Sequence, residues 1–164
     1  MGQLEDLTAN VRRAFDHVHR EHFLGDPAAN PRLLVDVLDP VVVADTPTVL
    51  LLAPWTINGL AFPPDDQFPD MLELAGRRRT VFRVEMADLG PFRSVNLPVE
   101  PAGLRSMAQA RGLTRSWATH LHEAVRGARA ARVSQPGSQL GNPDDPERLP
   151  PAADPIGSRR TQGE

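Results

Sequence analysis

An α+β fold, with a mainly antiparallel sheet of about four to six strands flanked by an N-terminal and a C-terminal helix, is predicted by three features of the sequence. Apolar residues near the start recur at helical spacing. The middle of the chain breaks into short apolar or alternating pieces separated by Pro, Gly and Asp. Helical spacing then returns after Leu104. No internal repeat interrupts this order, and a chain of 164 residues suits one domain with a single core.

Leu4, Leu7, Val11, Phe15 and Val18 fall on one stripe and predict a helix over residues 4–22, which Gly25, Pro27, Asn30 and Pro31 end. Residues 33–38 and 41–44 read as strand pieces interrupted at Asp39-Pro40, where Pro40 predicts an edge or a bulge. Asp45-Thr46-Pro47 reads as the turn into the apolar run from Val49. There Val49, Leu51 and Ala53 line one face and Leu50 and Leu52 the other, so the strand needs cover on both sides. That cover comes either from the protein's own helices or from a bound partner. A further strand is predicted over 57–62, weakened at Gly59, before an acidic Pro-rich loop over 63–70.

Thr80 to Met86 alternates, with Phe82, Val84 and Met86 inward and Arg83 and Glu85 toward water. Asp88-Leu89-Gly90-Pro91 turns the chain, and residues 92–97 return as its partner, with Arg93 opposite Glu85 for about 0.2–1 kcal/mol. Met107, Ala108, Trp117, Leu121, Ala124 and Val125 predict a long helix or two helices, weakened at Gly112 by about 1 kcal/mol. One domain is thus expected over 1–130. The segment 131–164 holds six of the 17 prolines and few large apolar residues, and is expected to be a disordered tail.

Composition excludes several classes. A formal net charge of −3 argues against general affinity for nucleic acid. The absence of Cys removes disulfides, thiolate metal sites and cysteine nucleophiles, in keeping with a reducing compartment. No apolar stretch approaches the roughly 20 residues of a membrane helix, and the N-terminus lacks the pattern of a secretory signal, so a cytoplasmic protein is expected. There is no Gly-rich phosphate loop, nucleophile elbow or metal-hydrolase helix, and an enzyme is not expected.

The sequence APWTINGLAFPPDDQFP over 53–69, followed by RRRTVFRVEMADLGPFRSVNLP over 77–98, resembles the HybE/HupJ family of [NiFe]-hydrogenase assembly chaperones. The resemblance spans about residues 4–125 and is strongest over 50–97. It implies a non-catalytic cytoplasmic chaperone without a cofactor of its own. Such a protein holds an immature hydrogenase subunit, the small-subunit precursor or its signal segment foremost and the large subunit as a further candidate, until cofactor insertion and assembly are complete. Lacking any Cys-x-x-Cys pair, this chain inherits no iron-carrying role from relatives with a rubredoxin-like extension.

The resemblance and the residue types together single out a partner-binding set: Pro54, Trp55, Asn58, Phe62, Pro63, Pro64, Asp65, Asp66 and Phe68. Aromatic anchors dominate interface energetics, so Trp55, Phe62, Pro64 and Phe68 are expected to border an apolar groove. Asp65, Asp66 and Asp70 would pair with arginine, including that of a twin-arginine export signal. Each also has a plain structural reading, as a core aromatic or as a solvated turn.

His17, His19, His22 and Glu21, with His120 and His122, suggest nickel or zinc, but residues two apart on a helix diverge and no metal site is assigned. Arg77, Arg78 and Arg79, and Arg105, Arg111, Arg115, Arg126, Arg129 and Arg132, read as solvated basic faces. Two alternatives stay open from the residues alone. One is a small-molecule-binding or sensor domain with a closed cavity around Trp55. The other is a small hydrolase or isomerase using His19 or His120 as base.

Overall fold

The computed structural model of the chain describes residues 2–134, with side chains as far as Ala131. The segment expected to be a disordered tail lies almost entirely outside the described residues.

Helix α1 (Gly2–Val18) runs into a π-helical turn (His19–Phe23). Strands β1 (Asp36–Val43), β2 (Thr46–Leu52), β3 (Ile57–Ala61), β4 (Met71–Leu74), β5 (Arg77–Met86) and β6 (Gly90–Asn96) follow. A 3₁₀ turn (Pro101–Gly103) leads to α2 (Met107–Arg115) and α3 (Ala118–Ser134). The strands form one six-stranded antiparallel sheet in the order β1-β2-β3-β6-β5-β4. The α+β expectation is met.

The doubly apolar strand is β2, and every residue from Val49 to Ala53 is fully buried. Its two faces feed two cores. Val49 and Leu51 join Val37, Leu60, Phe92 and Val11 of α1, whereas Leu50 and Leu52 join Leu38, Ile57, Leu72, Val95, Leu121 and Val125 on the side of α2 and α3. The protein's own helices therefore supply the cover on both faces. At Gly59 the helix comes so close that an added Cβ would lie 2.7 Å from Leu121 Cδ2, which accounts for a glycine in mid-strand.

The edge strand β1 carries the bulge expected at Pro40: the register with β2 shifts between Leu38 and Val41, and Asp39 has φ 50°. Asp36 in this strand is bonded by Arg12 at 3.1 Å and Arg111 at 2.9 Å. Burial raises its pKa, and those two guanidinium bonds more than offset this, leaving it below the ordinary carboxylate value.

Four sequence expectations need correction. Glu85 stands opposite Pro91 and Arg93 opposite Arg83, so the expected Glu85–Arg93 pair does not form. Phe82, expected inward with Val84 and Met86, is 52% exposed and does not join the core that those two pack against. The C-terminal helical region breaks at Ser116-Trp117 instead of weakening at Gly112, where a Cβ would find open space. Strand β4 was not anticipated at all; its hairpin turns at Ala75 and Gly76, with φ 50° and 81°.

Candidate functional site

Strand β3 begins and ends beside a proline and an aromatic residue, and the structure treats the two ends differently. At its start the chain makes a two-residue hairpin corner. Ala53 N–H donates to Thr56 O at 2.9 Å and Thr56 N–H to Ala53 O at 3.3 Å, with Pro54 and Trp55 between them. Pro54 is buried, and its carbonyl accepts Asn30 N–H at 2.8 Å. Trp55 is half-buried. Its ring lies parallel to Phe23 at 4.3 Å between centroids and 2° between planes, and His19 stacks at 5.8 Å and 18°. Both partners come from the π-helical turn at the end of α1, a rare local geometry common at functional sites.

Beside this stack opens a hollow of about 490 Å³. His19 and Phe23 form one wall, and the segment that follows, with Leu24, Pro27, Pro31, Leu33 and Leu34, forms the rest. Leu24 is 70% exposed and Leu34 65%, the two highest values among the exposed large hydrophobic residues described. The segment is held in place from behind. The buried Asn30 donates through Nδ2 to the carbonyls of Pro101 and Leu104, each at 2.8 Å, and its Oδ1 accepts Arg32 N–H at 3.0 Å. A stapled loop presenting unsupported leucines beside stacked aromatics is suited to taking up an apolar segment.

The far end of β3 is closed. Phe62 packs on the α1 side, 5.2 Å from the Phe92 ring, while Phe68 packs against the opposite core with Leu72, Val81 and Leu121. The loop between them is tied down by arginine. Buried Arg129 of α3 uses all five donors: Nε and Nη2 on the Asp45 carboxylate at 2.9 and 3.0 Å, Nη1 and Nη2 on Asp65 at 3.0 and 3.2 Å, and Nη1 on Gln67 O at 2.6 Å. Its hydrogen bonds to the Asp45 and Asp65 carboxylates hold its pKa above the usual arginine value despite burial. Asp66 accepts Arg83 Nη2 at 3.0 Å, and its backbone carbonyl accepts buried Arg93 Nη2 at 3.2 Å.

The expected partner-binding residues thus separate. Pro54 and Trp55 stand at one end of β3, by the hollow. Asn58 is buried within the strand, its side-chain oxygen accepting the Thr56 hydroxyl at 3.0 Å. Phe62, half-buried Pro63, exposed Pro64, Asp65, Asp66 and Phe68 lie at the other end, a five-residue strand or roughly 17 Å away. They do not enclose one groove with Trp55. Of the carboxylates expected to meet a partner's arginine, Asp65 is held by Arg129 and Asp66 by Arg83, with Arg93 on the Asp66 backbone carbonyl. Arg129 itself is a correction, since it is buried and not part of a solvated face. Sequence reasoning missed Phe23, Leu24 and Leu34; the available signal was large apolar residues stranded at both ends of a Gly- and Pro-rich stretch.

Among the described residues, no three of His, Cys, Asp and Glu come together as metal ligands, and no helix is long and apolar enough to cross a membrane. An α+β domain with an open apolar hollow has a form suited to binding. The family model described as "[NiFe]-hydrogenase assembly, chaperone, HybE" matches residues 6–82, which include every residue of the hollow and of the expected partner-binding set. In fold, the chain is similar to HybE from Escherichia coli, a solution structure, with a TM-score of 0.51 and 18% identity over 96% of this chain and 91% of that one. No curated protein matches. The chain therefore resembles the HybE/HupJ family in sequence over 6–82 and HybE in fold, and that family is one of [NiFe]-hydrogenase assembly chaperones.

Proposed function

We propose that this protein is a non-catalytic cytoplasmic assembly chaperone, which binds an immature [NiFe]-hydrogenase subunit through the hollow beside Trp55 and holds it until cofactor insertion and assembly are complete. The small-subunit precursor, through an apolar stretch of its signal segment, is the client of this reading. The single observation that carries it is the open hollow between the Trp55–Phe23 stack and the exposed Leu24 and Leu34. The family matched over 6–82 supplies the client class. A holdase of this kind acts by mass action: it binds the unfinished subunit more tightly than the finished one and so keeps the former from aggregating or assembling early.

The test is the affinity of the full chain for a purified small-subunit precursor. Leu34→Asp and Leu24→Asp place charge on exposed positions and should leave melting unchanged. Each should weaken capture of the precursor by roughly tenfold or more. Wild-type capture by the double variant would overturn the proposal, as would equal affinity for the mature subunit.

A further inference from the structure

The sheet has two edges, and they are finished differently. On β1 the bulge at Asp39, the missing N–H of Pro40, and ion pairs from Arg12, Arg111 and Arg115 to Asp36 and Asp39 obstruct any added strand, the usual protection of an edge. On β4 none of these devices is present. The two-residue turn makes Leu74–Arg77 the bonded pair nearest the corner, and Val81 N–H donates to Asp70 O at 2.8 Å. Bonded pairs alternate along an antiparallel ladder, so Leu72 also faces β5, and the N–H and C=O of Met71 and Glu73 point to the outer edge. Among the described residues, β5 is the one strand paired with β4.

Alongside this edge runs a slot of about 470 Å³ between β4 and α3. Its helix side includes the small residues Ala124, Gly127 and Ala128, and a Cβ placed at Gly127 would meet nothing within 4 Å. Leu72 supplies an apolar surface on the strand side. The charged residues of the lining are Glu73 and Glu123, with no arginine, in a chain whose 18 basic residues are all arginine.

We infer that the slot between β4 and α3 is a second binding site, which takes an extended peptide as an added strand along β4. Free main-chain donors and acceptors at a strand edge call for another main chain, and a groove walled by an edge strand and a helix is a recurrent setting for such addition. The peptide pairs with Met71 and Glu73, turns alternate apolar side chains into the slot against Ala124 and Gly127, and lacks acidic residues because Glu73 and Glu123 would repel them. A second copy of the chain is the weaker occupant: two outward-facing residues per edge offer too short a ladder for a stable dimer. This site is separate from the Trp55 hollow and stands or falls without it.

The experiment selects binders to the full chain from a displayed library of random heptapeptides, then titrates synthetic copies of the enriched peptides into isotope-labelled protein. The Met71 and Glu73 amides should shift and gain protection from hydrogen exchange as peptide is added. Glu73→Pro removes an N–H that the β4–β5 ladder does not use, and Gly127→Leu adds a side chain in the slot lining where a Cβ meets nothing within 4 Å. Each should weaken binding roughly tenfold or more, whereas Leu34→Asp should leave it unchanged. Should Glu73→Pro fail to fold, Gly127→Leu decides. The inference is overturned if no peptide is enriched over an unrelated protein, or if the selected peptides bind Gly127→Leu like wild type. It is also overturned if the Met71 and Glu73 amides are already protected before peptide is added, which would mean that another part of the chain or a second copy occupies the edge.

Discussion

Pro54-Trp55 and Phe62 to Asp70 look alike on paper, each an aromatic set among prolines at one end of β3, yet the first stacks on residues that wall an open hollow and the second is tied down by arginines. What separates them is whether the chain carries an answer to the exposed chemistry. The acidic loop is answered by three arginines from β5, β6 and α3, with Arg129 buried to 2% side-chain exposure. The Trp55 corner is answered only in part: Phe23 and His19 cover the ring, and Leu24 and Leu34 beside it find no apolar partner deep enough to bury them. A conspicuous cluster of carboxylates and aromatics is therefore engaged within the fold here, and the surface proposed for binding is chemically plainer.

The strongest way to break this contrast is Arg129→Met. Removing the buried guanidinium takes away its hydrogen bonds to Asp45 and Asp65, whose carboxylates are 44% and 37% exposed and regain water, so a loss of about 1–3 kcal/mol in denaturant-measured stability is expected. Precursor capture by the folded fraction should not change. A variant of near-wild-type stability would show that the loop is held by other means. Trp55→Ala comes next, with about 2 kcal/mol lost for a half-buried aromatic with stacked partners; here both stability and capture should fall. Asp66→Asn should cost less than about 1 kcal/mol and show a salt-dependent difference, because its pair with Arg83 is exposed on both sides. If its effect rivalled that of Arg129, the loop would have two clasps instead of one.

Much of the fold was legible because burial writes a period into the sequence. Residues Val49 to Ala53 announced a strand covered twice, the alternation through Val84 and Met86 placed β5, and Asp39-Pro40 marked the bulge. Strand β4 was hidden because Met71-Leu72-Glu73-Leu74 is too short for a period to register, although the Ala-Gly pair between it and the arginines was a hairpin signal. The burial of Arg129 could have been suspected from its place four residues beyond Val125 and eight beyond Leu121, on the apolar stripe of α3. What it binds could not, since Asp45 and Asp65 are distant in sequence and meet it only through the sheet's topology. The hollow was illegible for a related reason: its walls come from a segment with no period, placed by the three hydrogen bonds of the Asn30 side chain.

The helix that carries the clasp should also carry an acid sensitivity that the Trp55 corner does not need. His122 on α3 has a buried Nε2 without a hydrogen-bond partner. Burial pushes its pKa below the ordinary histidine value, and Arg126 adds to this, while Asp39 pulls the other way. A histidine whose pKa is lowered by folding binds its proton more readily in the unfolded chain, so its neutral form favours the fold at high pH. That advantage disappears as pH falls below about 6.5 toward the lowered folded value. His122→Leu should therefore flatten the dependence of the urea midpoint on pH between about 7.5 and 5.5, by no more than about 1 kcal/mol for a half-exposed side chain. It should leave the Leu34→Asp effect on precursor capture untouched. An unchanged slope would place the acid sensitivity elsewhere in the molecule. A changed capture would join the two ends of β3 through the sheet and dissolve the contrast between them.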